Sequence, residues 1–220
     1  MISIAGFAMT FDVGATTRTL GLYIDYKSPY AYLAKDLAYD LARDTGVVID
    51  WLPYTLDVPA YLGSATVAED GTILEQNRNA HQWRRVRYAY MDARREANRR
   101  GLTLRGPRKI FDSTLANIGL LYAKAENVFR AYNDTVFTRF WARELDIEDR
   151  GAIATILRNV GADVAGFDAF VDGAGRSELL RIQTTAENAG VFGVPTFVLD
   201  GELFWGREHL PRLREMLTAA

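Results

Sequence analysis

LGLYIDYKSPYAYLA, from Leu20 to Ala34, is the stretch that decides the fold. Its first part, Leu20–Tyr26, alternates apolar and polar residues and is rich in aromatics, which predicts a β-strand. Serine is a favoured N-cap and proline a favoured first helical residue, so Ser28-Pro29 predicts that a helix begins directly after the strand. The strand is therefore expected to enter the helix through a very short turn.

The residues further along the chain extend this beginning into a sheet. Leucines at helical spacing continue the helix towards Gly46, a residue type that often ends helices. Val47–Leu52 predicts a second strand, and the simplest connection is a right-handed parallel crossover. Near the other end, Thr196–Asp200 and Glu202–Trp205 predict a β-hairpin around an Asp-Gly pair, and Arg207–Ala219 predicts a closing helix.

The middle of the chain is predicted to be a linker followed by helices. Pro53–Gly71 has no clear period and contains several prolines and glycines, so we expect a linker with functional potential. From about Leu74 to Ala189 nearly all segments have helical spacing. The fold class predicted is therefore α/β, a thioredoxin-like fold of order βαβ…ββα with an inserted all-helical domain. We expect a flexible leader at residues 1–17, a thioredoxin-like domain at residues 18–73 and 190–220, and the helical domain at residues 74–189.

The composition excludes several classes of function. The 220 residues are 49% hydrophobic and 25% charged with a formal net charge of −2, which gives no global attraction for nucleic acid or membrane. Cysteine is absent, so the chain can form no disulfide, thiolate metal site or cysteine nucleophile, and two histidines make a zinc site unexpected. No apolar run is long enough to span a bilayer and no secretory signal is evident, so we expect a cytoplasmic protein without metal or membrane partners.

Ser28 is the first candidate for chemistry. It lies where a strand meets a helix N-terminus, whose unpaired N–H groups and partial positive charge favour an anion such as a thiolate. A hydrogen bond from the Ser28 hydroxyl to a bound thiolate would contribute about 1.5–3 kcal/mol, and the helix dipole about 1 kcal/mol. The alternative is that Ser28 is only an N-cap.

Two further candidates lie near the C-terminal hairpin. Pro195 directly precedes a strand, and a cis peptide bond there would expose the backbone of Val194 to an extended ligand. The alternative is a proline that starts a strand without binding anything. At the start of the last helix, Arg207 has the chemistry to hold a carboxylate and Glu208 to hold an ammonium group. Glu208 is also favourable in a first helical turn for electrostatic reasons alone.

A basic segment, Arg78–Lys109, carries eleven basic residues opposed only by Asp92 and Glu96. Such a segment could bind nucleic acid or an anionic substrate. Its arginines spread around the predicted helix and alternate with apolar residues, which favours a solvated helix face partly paired with acidic neighbours. We therefore expect no nucleic-acid partner.

Several motifs resemble a known family. DYKSPYAYLA (Asp25–Ala34) resembles the first-turn motif of 2-hydroxychromene-2-carboxylate isomerases and kappa-class glutathione transferases. GVFGVPTFVLDGELFWGREHL (Gly190–Leu210) resembles their C-terminal signature, and the segments Arg87–Leu102 and Phe140–Asp149 also fit. The resemblance covers most of residues 20–217. These enzymes belong to the DsbA-like thioredoxin superfamily.

The resemblance implies roles for individual residues. DsbA-like oxidoreductases carry a Cys-x-x-Cys pair where this chain begins its helix with Ser28, so no protein dithiol is present. Ser28 matches the serine that faces the sulfur of bound glutathione. Val194 and Pro195 match the cis-proline pair whose backbone holds the cysteinyl unit of glutathione. Glu208 occupies the position of an aspartate that binds the γ-glutamyl end, and Arg207 beside it replaces a small residue.

The function implied by the resemblance is that of an enzyme with glutathione as its nucleophilic cofactor. The first expectation is a glutathione-dependent isomerase of a small aromatic or conjugated substrate, with Ser28 catalytic and Tyr30, Trp83 and Phe192 as candidates for the substrate pocket. One alternative is a kappa-like glutathione transferase, which consumes glutathione. Another is a non-catalytic module that binds a peptide or partner at the Val194-Pro195 edge. The resemblance also implies a homodimer.

Overall fold

A mixed four-stranded sheet lies at the centre of the computed structural model, which describes residues 18–219. The predicted leader, residues 1–17, lies outside these described residues. The strands are β1 (Thr19–Ile24), β2 (Val48–Pro53), β3 (Ala65–Val67), β4 (Ile73–Gln76), β5 (Thr196–Leu199) and β6 (Glu202–Trp205). The helices are α1 (Pro29–Thr45), α2 (Val58–Leu62), α3 (Ala80–Arg99), α4 (Thr114–Ala125), α5 (Phe129–Trp141), α6 (Arg150–Asn159), α7 (Phe167–Asp172), α8 (Ala174–Asn188) and α9 (Leu210–Thr218).

The predicted strand–helix–strand unit is confirmed. Strands β1 and β2 pair in parallel, with Leu22 opposite Trp51, and α1 connects them. Ser28 is the N-cap of α1 and accepts a hydrogen bond from the Ala31 N–H, while Gly46 ends the helix in the left-handed conformation. These local signals are effective because they satisfy backbone groups that a helix end leaves unpaired.

The predicted C-terminal hairpin forms the other half of the sheet. Strands β5 and β6 pair antiparallel, and β5 also pairs antiparallel with β1, which gives the strand order β2-β1-β5-β6. The two central strands place Leu22 opposite Phe197, and both side chains are fully buried. Residues Arg207–His209 form a 3-10 turn, so the closing α-helix begins at Leu210, later than predicted.

The predictions for the linker and for the start of the helical run are wrong in detail. The segment Pro53–Gly71 contains the short helix α2 and strand β3, and β4 pairs antiparallel with β3 in a separate two-stranded sheet. The helical run therefore begins at Ala80 and not near Leu74. Sequence patterning misses these elements because α2 has only 5 residues and all 4 residues of β4 are exposed.

One hydrophobic core joins the sheet to the helices between β4 and β5. The ring of Trp141 in α5 is fully buried, stacks on Tyr32 of α1, and donates its N–H to the carbonyl of Tyr26. Trp51 of β2 packs against Phe129 of α5, with ring centroids 5.4 Å apart. The core is continuous across the boundary predicted between the thioredoxin-like domain and the helical domain. The division of the chain into these two domains stays a prediction. None of the described helices is long and apolar enough to cross a membrane.

Candidate active site

The turn between β1 and α1 faces the loop that precedes β5. The Ser28 side chain donates a hydrogen bond to the Val194 carbonyl at 3.3 Å and accepts one from the Ala31 N–H at 3.2 Å. The Val194–Pro195 peptide bond is cis, which is the first of the two interpretations of this proline. The Val194 N–H has no hydrogen-bond partner within residues 18–219, so an extended ligand can accept a hydrogen bond from it.

The same loop lies against the start of the last helical segment. The Pro195 carbonyl accepts a hydrogen bond from the Gly206 N–H at 2.9 Å. Gly206 has φ +110, and a methyl group there would overlap the carboxylate of Glu208. Glycine therefore allows the Glu208 side chain to turn back over the backbone. Arg207 and Glu208 line the same cavity as Val194 and Pro195.

A first cavity of about 1120 Å³ opens beside this loop. The four predicted cofactor-binding residues, Val194, Pro195, Arg207 and Glu208, all line it, whereas Ser28 does not. Its walls carry charges of both signs, which suits a ligand with both ammonium and carboxylate groups. Among residues 18–219 no group of three or more acidic or histidine side chains is placed to hold a metal ion. The other charged residues in the walls of the first cavity are Asp40, Arg43, Asp44, Asp92, Glu96, Arg99, Arg214 and Glu215.

A second cavity of about 870 Å³ adjoins the first. Ser28 and the three predicted substrate-pocket residues, Tyr30, Trp83 and Phe192, line it together with other apolar side chains. Of the residues that the structure describes, the charged ones in its walls are all basic. Part of the basic segment that was predicted to be a solvated helix face therefore lines a cavity. The basic residues that line this cavity are Lys27 and Arg143, which lie outside that segment, and Arg78, Arg85, Arg87, Arg94, Arg108 and Lys109, which belong to it.

The two cavities meet at Tyr30, Val194 and Trp205, which line both of them. The Tyr30 hydroxyl donates to the Asp92 carboxylate at 3.3 Å, and the Arg207 guanidinium lies 5.7 Å from the centre of the Tyr30 ring. Burial and the nearby Asp92 charge raise the pKa of Tyr30 to about 12. Tyr30 is therefore a neutral phenol between the cavities at physiological pH.

Aromatic side chains form an open wall of the second cavity. Phe192 and Trp205 are 65% and 53% exposed, and their ring centroids lie 4.9 Å apart. Two guanidinium groups lie near the Trp83 ring, that of Arg78 at 5.0 Å and that of Arg87 at 5.8 Å from its centre. Exposed aromatic groups around a cavity are typical of a binding surface.

A buried polar group beside Ser28 was missed by the sequence analysis. The Lys27 ammonium lies 3.0 Å from the Asp25 carboxylate and donates to the Ser113 hydroxyl at 2.8 Å. Asp25 also accepts the Leu56 N–H at 2.8 Å, so it holds the loop after β2 against the turn. Two charges at an otherwise apolar strand-to-helix junction are the signal that could have revealed this group. Ser113 is 86 positions from Lys27, and nothing local connects them.

Comparison with protein families identifies the domain. The family model of the DSBA-like thioredoxin domain matches residues 19–218. The 2-hydroxychromene-2-carboxylate isomerase of Sphingobium xenophagum is 31% identical over 202 residues, which cover 91% of this chain and 98% of that protein. The enzyme of the same name from Pseudomonas putida is 29% identical over 189 residues, which cover 86% and 88% of the two chains.

Solved structures agree with this assignment. The structure of a 2-hydroxychromene-2-carboxylate isomerase matches with a TM-score of 0.70 and 26% identity, covering 91% of this chain and 95% of that one. A probable DsbA oxidoreductase from Streptomyces coelicolor matches with a TM-score of 0.71 over 92% and 90% of the two chains; at 19% identity it supports the fold alone. The predicted thioredoxin-like fold is confirmed. The chain therefore belongs to the DSBA-like thioredoxin domain family and, within it, to the family of the 2-hydroxychromene-2-carboxylate isomerases.

Proposed function

We propose that the chain is a glutathione-dependent isomerase of the 2-hydroxychromene-2-carboxylate isomerase type, acting on a small aromatic or conjugated substrate. The observation that carries the proposal is the pair of adjoining cavities, one with charges of both signs and one with aromatic and other apolar side chains and only basic charges. Such a pair suits a peptide cofactor beside an aromatic substrate. The names of the relatives supply the class of reaction.

The first cavity fits the chemistry of glutathione, a tripeptide with one ammonium group and two carboxylates. The Val194 N–H is a donor for the backbone of an extended peptide. Glu208 would pair with the ammonium group and Arg207 with a carboxylate, since both line the cavity near this N–H. The residues present therefore fit the cofactor at its middle and at one charged end.

Bound glutathione would supply a thiolate that adds reversibly to a conjugated double bond and so permits rotation about it. Ser28 would stabilise this thiolate, because a hydroxyl can donate one hydrogen bond while it accepts another. Its oxygen can keep the bond from the Ala31 N–H while its proton leaves the Val194 carbonyl for the sulfur. The N-terminus of α1, a helix of 17 residues, adds its partial positive charge.

The organic substrate would lie in the second cavity. Tyr30, Trp83 and Phe192 provide flat apolar surfaces for a ring system. Since Tyr30 and Val194 line both cavities, a ring bound there lies next to the cofactor site. We include a cytoplasmic location in the proposal, because the reducing cytoplasm maintains a pool of reduced glutathione. A homodimer is also included, and sedimentation of the purified chain tests it.

The test begins with calorimetric titration of the purified chain with reduced glutathione, together with the ultraviolet absorbance of the thiolate across pH. We expect saturable binding and a thiol pKa below the value of about 8.5 for a free thiol. Turnover of 2-hydroxychromene-2-carboxylate is then followed while total glutathione is measured.

Three results would contradict the proposal. Stoichiometric loss of glutathione during turnover would indicate the transferase. Absence of glutathione binding, with an extended peptide bound at the Val194 edge, would indicate the non-catalytic module. Turnover at the same rate without glutathione would remove the cofactor from the proposal.

A further inference from the structure

We propose that Lys27 binds an anionic oxygen of the second ligand, so that the second cavity selects carboxylate-bearing aromatic molecules over neutral ones of the same shape. The inference deepens the proposed function, because it assigns the charge selectivity of the substrate site to one residue. It rests on the proposed function only in taking the second cavity as the substrate site.

Lys27 is a charged side chain built into the protein interior. Its side chain is 6% exposed, and that of its partner Asp25 is 0% exposed. Burial of an ammonium group is costly unless charge and hydrogen bonds compensate it. Asp25 at 3.0 Å supplies the charge and Ser113 at 2.8 Å supplies a hydroxyl acceptor.

These contacts leave the ammonium group incompletely satisfied. A lysine ammonium has three N–H donors. The Asp25 and Ser113 contacts account for two of them, and no third acceptor is found within residues 18–219. A buried donor without an acceptor is unfavourable, so a ligand that brings an acceptor gains affinity there.

We infer that this third donor points towards the second cavity. Lys27 lines that cavity, whereas neither Asp25 nor Ser113 does. The two protein partners therefore support the ammonium group from behind the cavity wall. Ser28 is the next residue along the chain and lines the same cavity, so a ligand anion at Lys27 lies close to the candidate catalytic hydroxyl.

The charges around the cavity favour an anion over a neutral ligand. All charged residues that line it in the described part of the chain are basic, so no carboxylate in its wall competes for Lys27. A charge-assisted hydrogen bond contributes about 1.5–3 kcal/mol, which corresponds to a preference of about ten- to a hundredfold.

Lys35 shows what a purely structural buried lysine looks like in this chain. Its side chain is 7% exposed, as buried as that of Lys27, but its ammonium group pairs with two carboxylates, Asp36 and Asp134. Lys35 lines neither cavity. It is therefore the matched control for the loss of a buried lysine.

The experiment compares the binding of 2-naphthoate and 2-naphthamide, which share a ring system and differ in charge. Calorimetry is carried out without glutathione on the parent chain and on the Lys27→Met, Lys27→Arg and Lys35→Met variants. We expect the parent and Lys35→Met to bind the carboxylate about tenfold or more tightly than the amide. Lys27→Met should lose most of this preference, since only the other basic residues of the wall then attract the carboxylate, and Lys27→Arg should restore part of it.

A second variant addresses the stability of the fold, because Lys27→Met leaves Asp25 buried without its partner. Asp25→Asn combined with Lys27→Met removes both charges and should show the same loss of preference. A preference that stays undiminished in both variants would overturn the inference, as would an equal loss in Lys35→Met. If the preference for the carboxylate were lost only in the Arg94→Gln variant, the selectivity would belong to the arginines, and the inference would also be overturned. Glutathione titration remains a separate measurement, so failure of the proposed function is distinguished from failure of this inference.

Discussion

The Ser28 hydroxyl and the Val194 carbonyl are joined by a 3.3 Å hydrogen bond, although 166 positions separate them in the chain. This bond connects the N-terminus of α1 to the cis-peptide loop before β5, beside the meeting point of the two cavities. The proton that Ser28 gives to Val194 is also the proton that a bound thiolate would require. In the proposed function, stabilisation of the thiolate and attachment of the loop would therefore depend on the same hydroxyl.

Replacement of Ser28 by alanine tests this dual use. We expect the thiol pKa of bound glutathione to rise by about 1–2 units, since a hydrogen bond to a charged group contributes about 1.5–3 kcal/mol. Loss of the helix cap should lower the free energy of unfolding by about 1 kcal/mol. Thiolate absorbance across pH and urea unfolding measure the two effects. Ser177→Ala, on the surface of α8, is the control, and an unchanged thiol pKa in Ser28→Ala would leave Ser28 as an N-cap only.

Glu208→Gln should weaken glutathione binding without affecting the fold. The side chain is exposed, so its pairing with an ammonium group is worth up to about 1 kcal/mol, or about fivefold in the dissociation constant. Calorimetry at low and high salt measures this loss, which should shrink as salt screens the pair. Glu178→Gln removes a comparable surface carboxylate paired with Arg181 and should leave affinity unchanged. An equal effect of both variants would contradict the assignment of Glu208.

Gly119→Ala should destabilise the chain through the core. A methyl group at Gly119 would overlap the hydroxyl of Tyr132, which is fully buried and donates to the Ala116 carbonyl at 2.8 Å. Overpacking of this kind costs about 1–3 kcal/mol, measured here by urea unfolding. Gly21→Ala is the control, because a methyl group there would meet its nearest neighbour at an ordinary 3.5 Å. Equal stability of the two variants would refute the packing described for α4 and α5.

The chain should lose stability as the pH rises from about 10 to 12. Burial and, to a smaller extent, the negative charge of Asp92 raise the pKa of Tyr30 to about 12. Burial also raises the pKa of Tyr90 to about 12. In the unfolded chain these tyrosines have pKa values near 10 and lose their protons over this range, whereas in the folded chain they keep them. Unfolding is therefore increasingly favoured as the pH rises. Urea unfolding at a series of pH values checks the slope. Tyr30→Phe should flatten it, and the same slope in that variant would contradict the environment given to Tyr30.

The local signals of the sequence were sufficient for the framework of the fold. Ser28-Pro29 and Gly46 determine the two ends of α1 because helix ends require specific residue types. The hairpin of β5 and β6 follows from the Asp200-Gly201 turn, in which both residues have positive φ. The residues expected at the site also line the two cavities, although their roles remain predictions.

Features that depend on distant partners were not accessible in the same way. The pairing of Lys27 with Ser113 joins a turn to the residue before α4, and no periodicity reports such a contact. Strands β3 and β4 have 3 and 4 residues, with no fully buried face to impose an alternating pattern. The basic segment was interpreted from its charge and from the spread of its arginines around the helix, whereas the distinction between solvent and cavity depends on what lies opposite α3.

The placement of α2 and β3 has an evolutionary consequence. Both follow β2 and lie outside the four-stranded sheet, and the residues of this segment that line the second cavity contribute nothing to the walls of the first. We therefore expect mutations, insertions or deletions between residues 56 and 67 to reshape the second cavity while the four-stranded sheet and the first cavity stay intact. If the two cavities hold the two ligands proposed above, selection can diversify one site in such a lineage while it conserves the other.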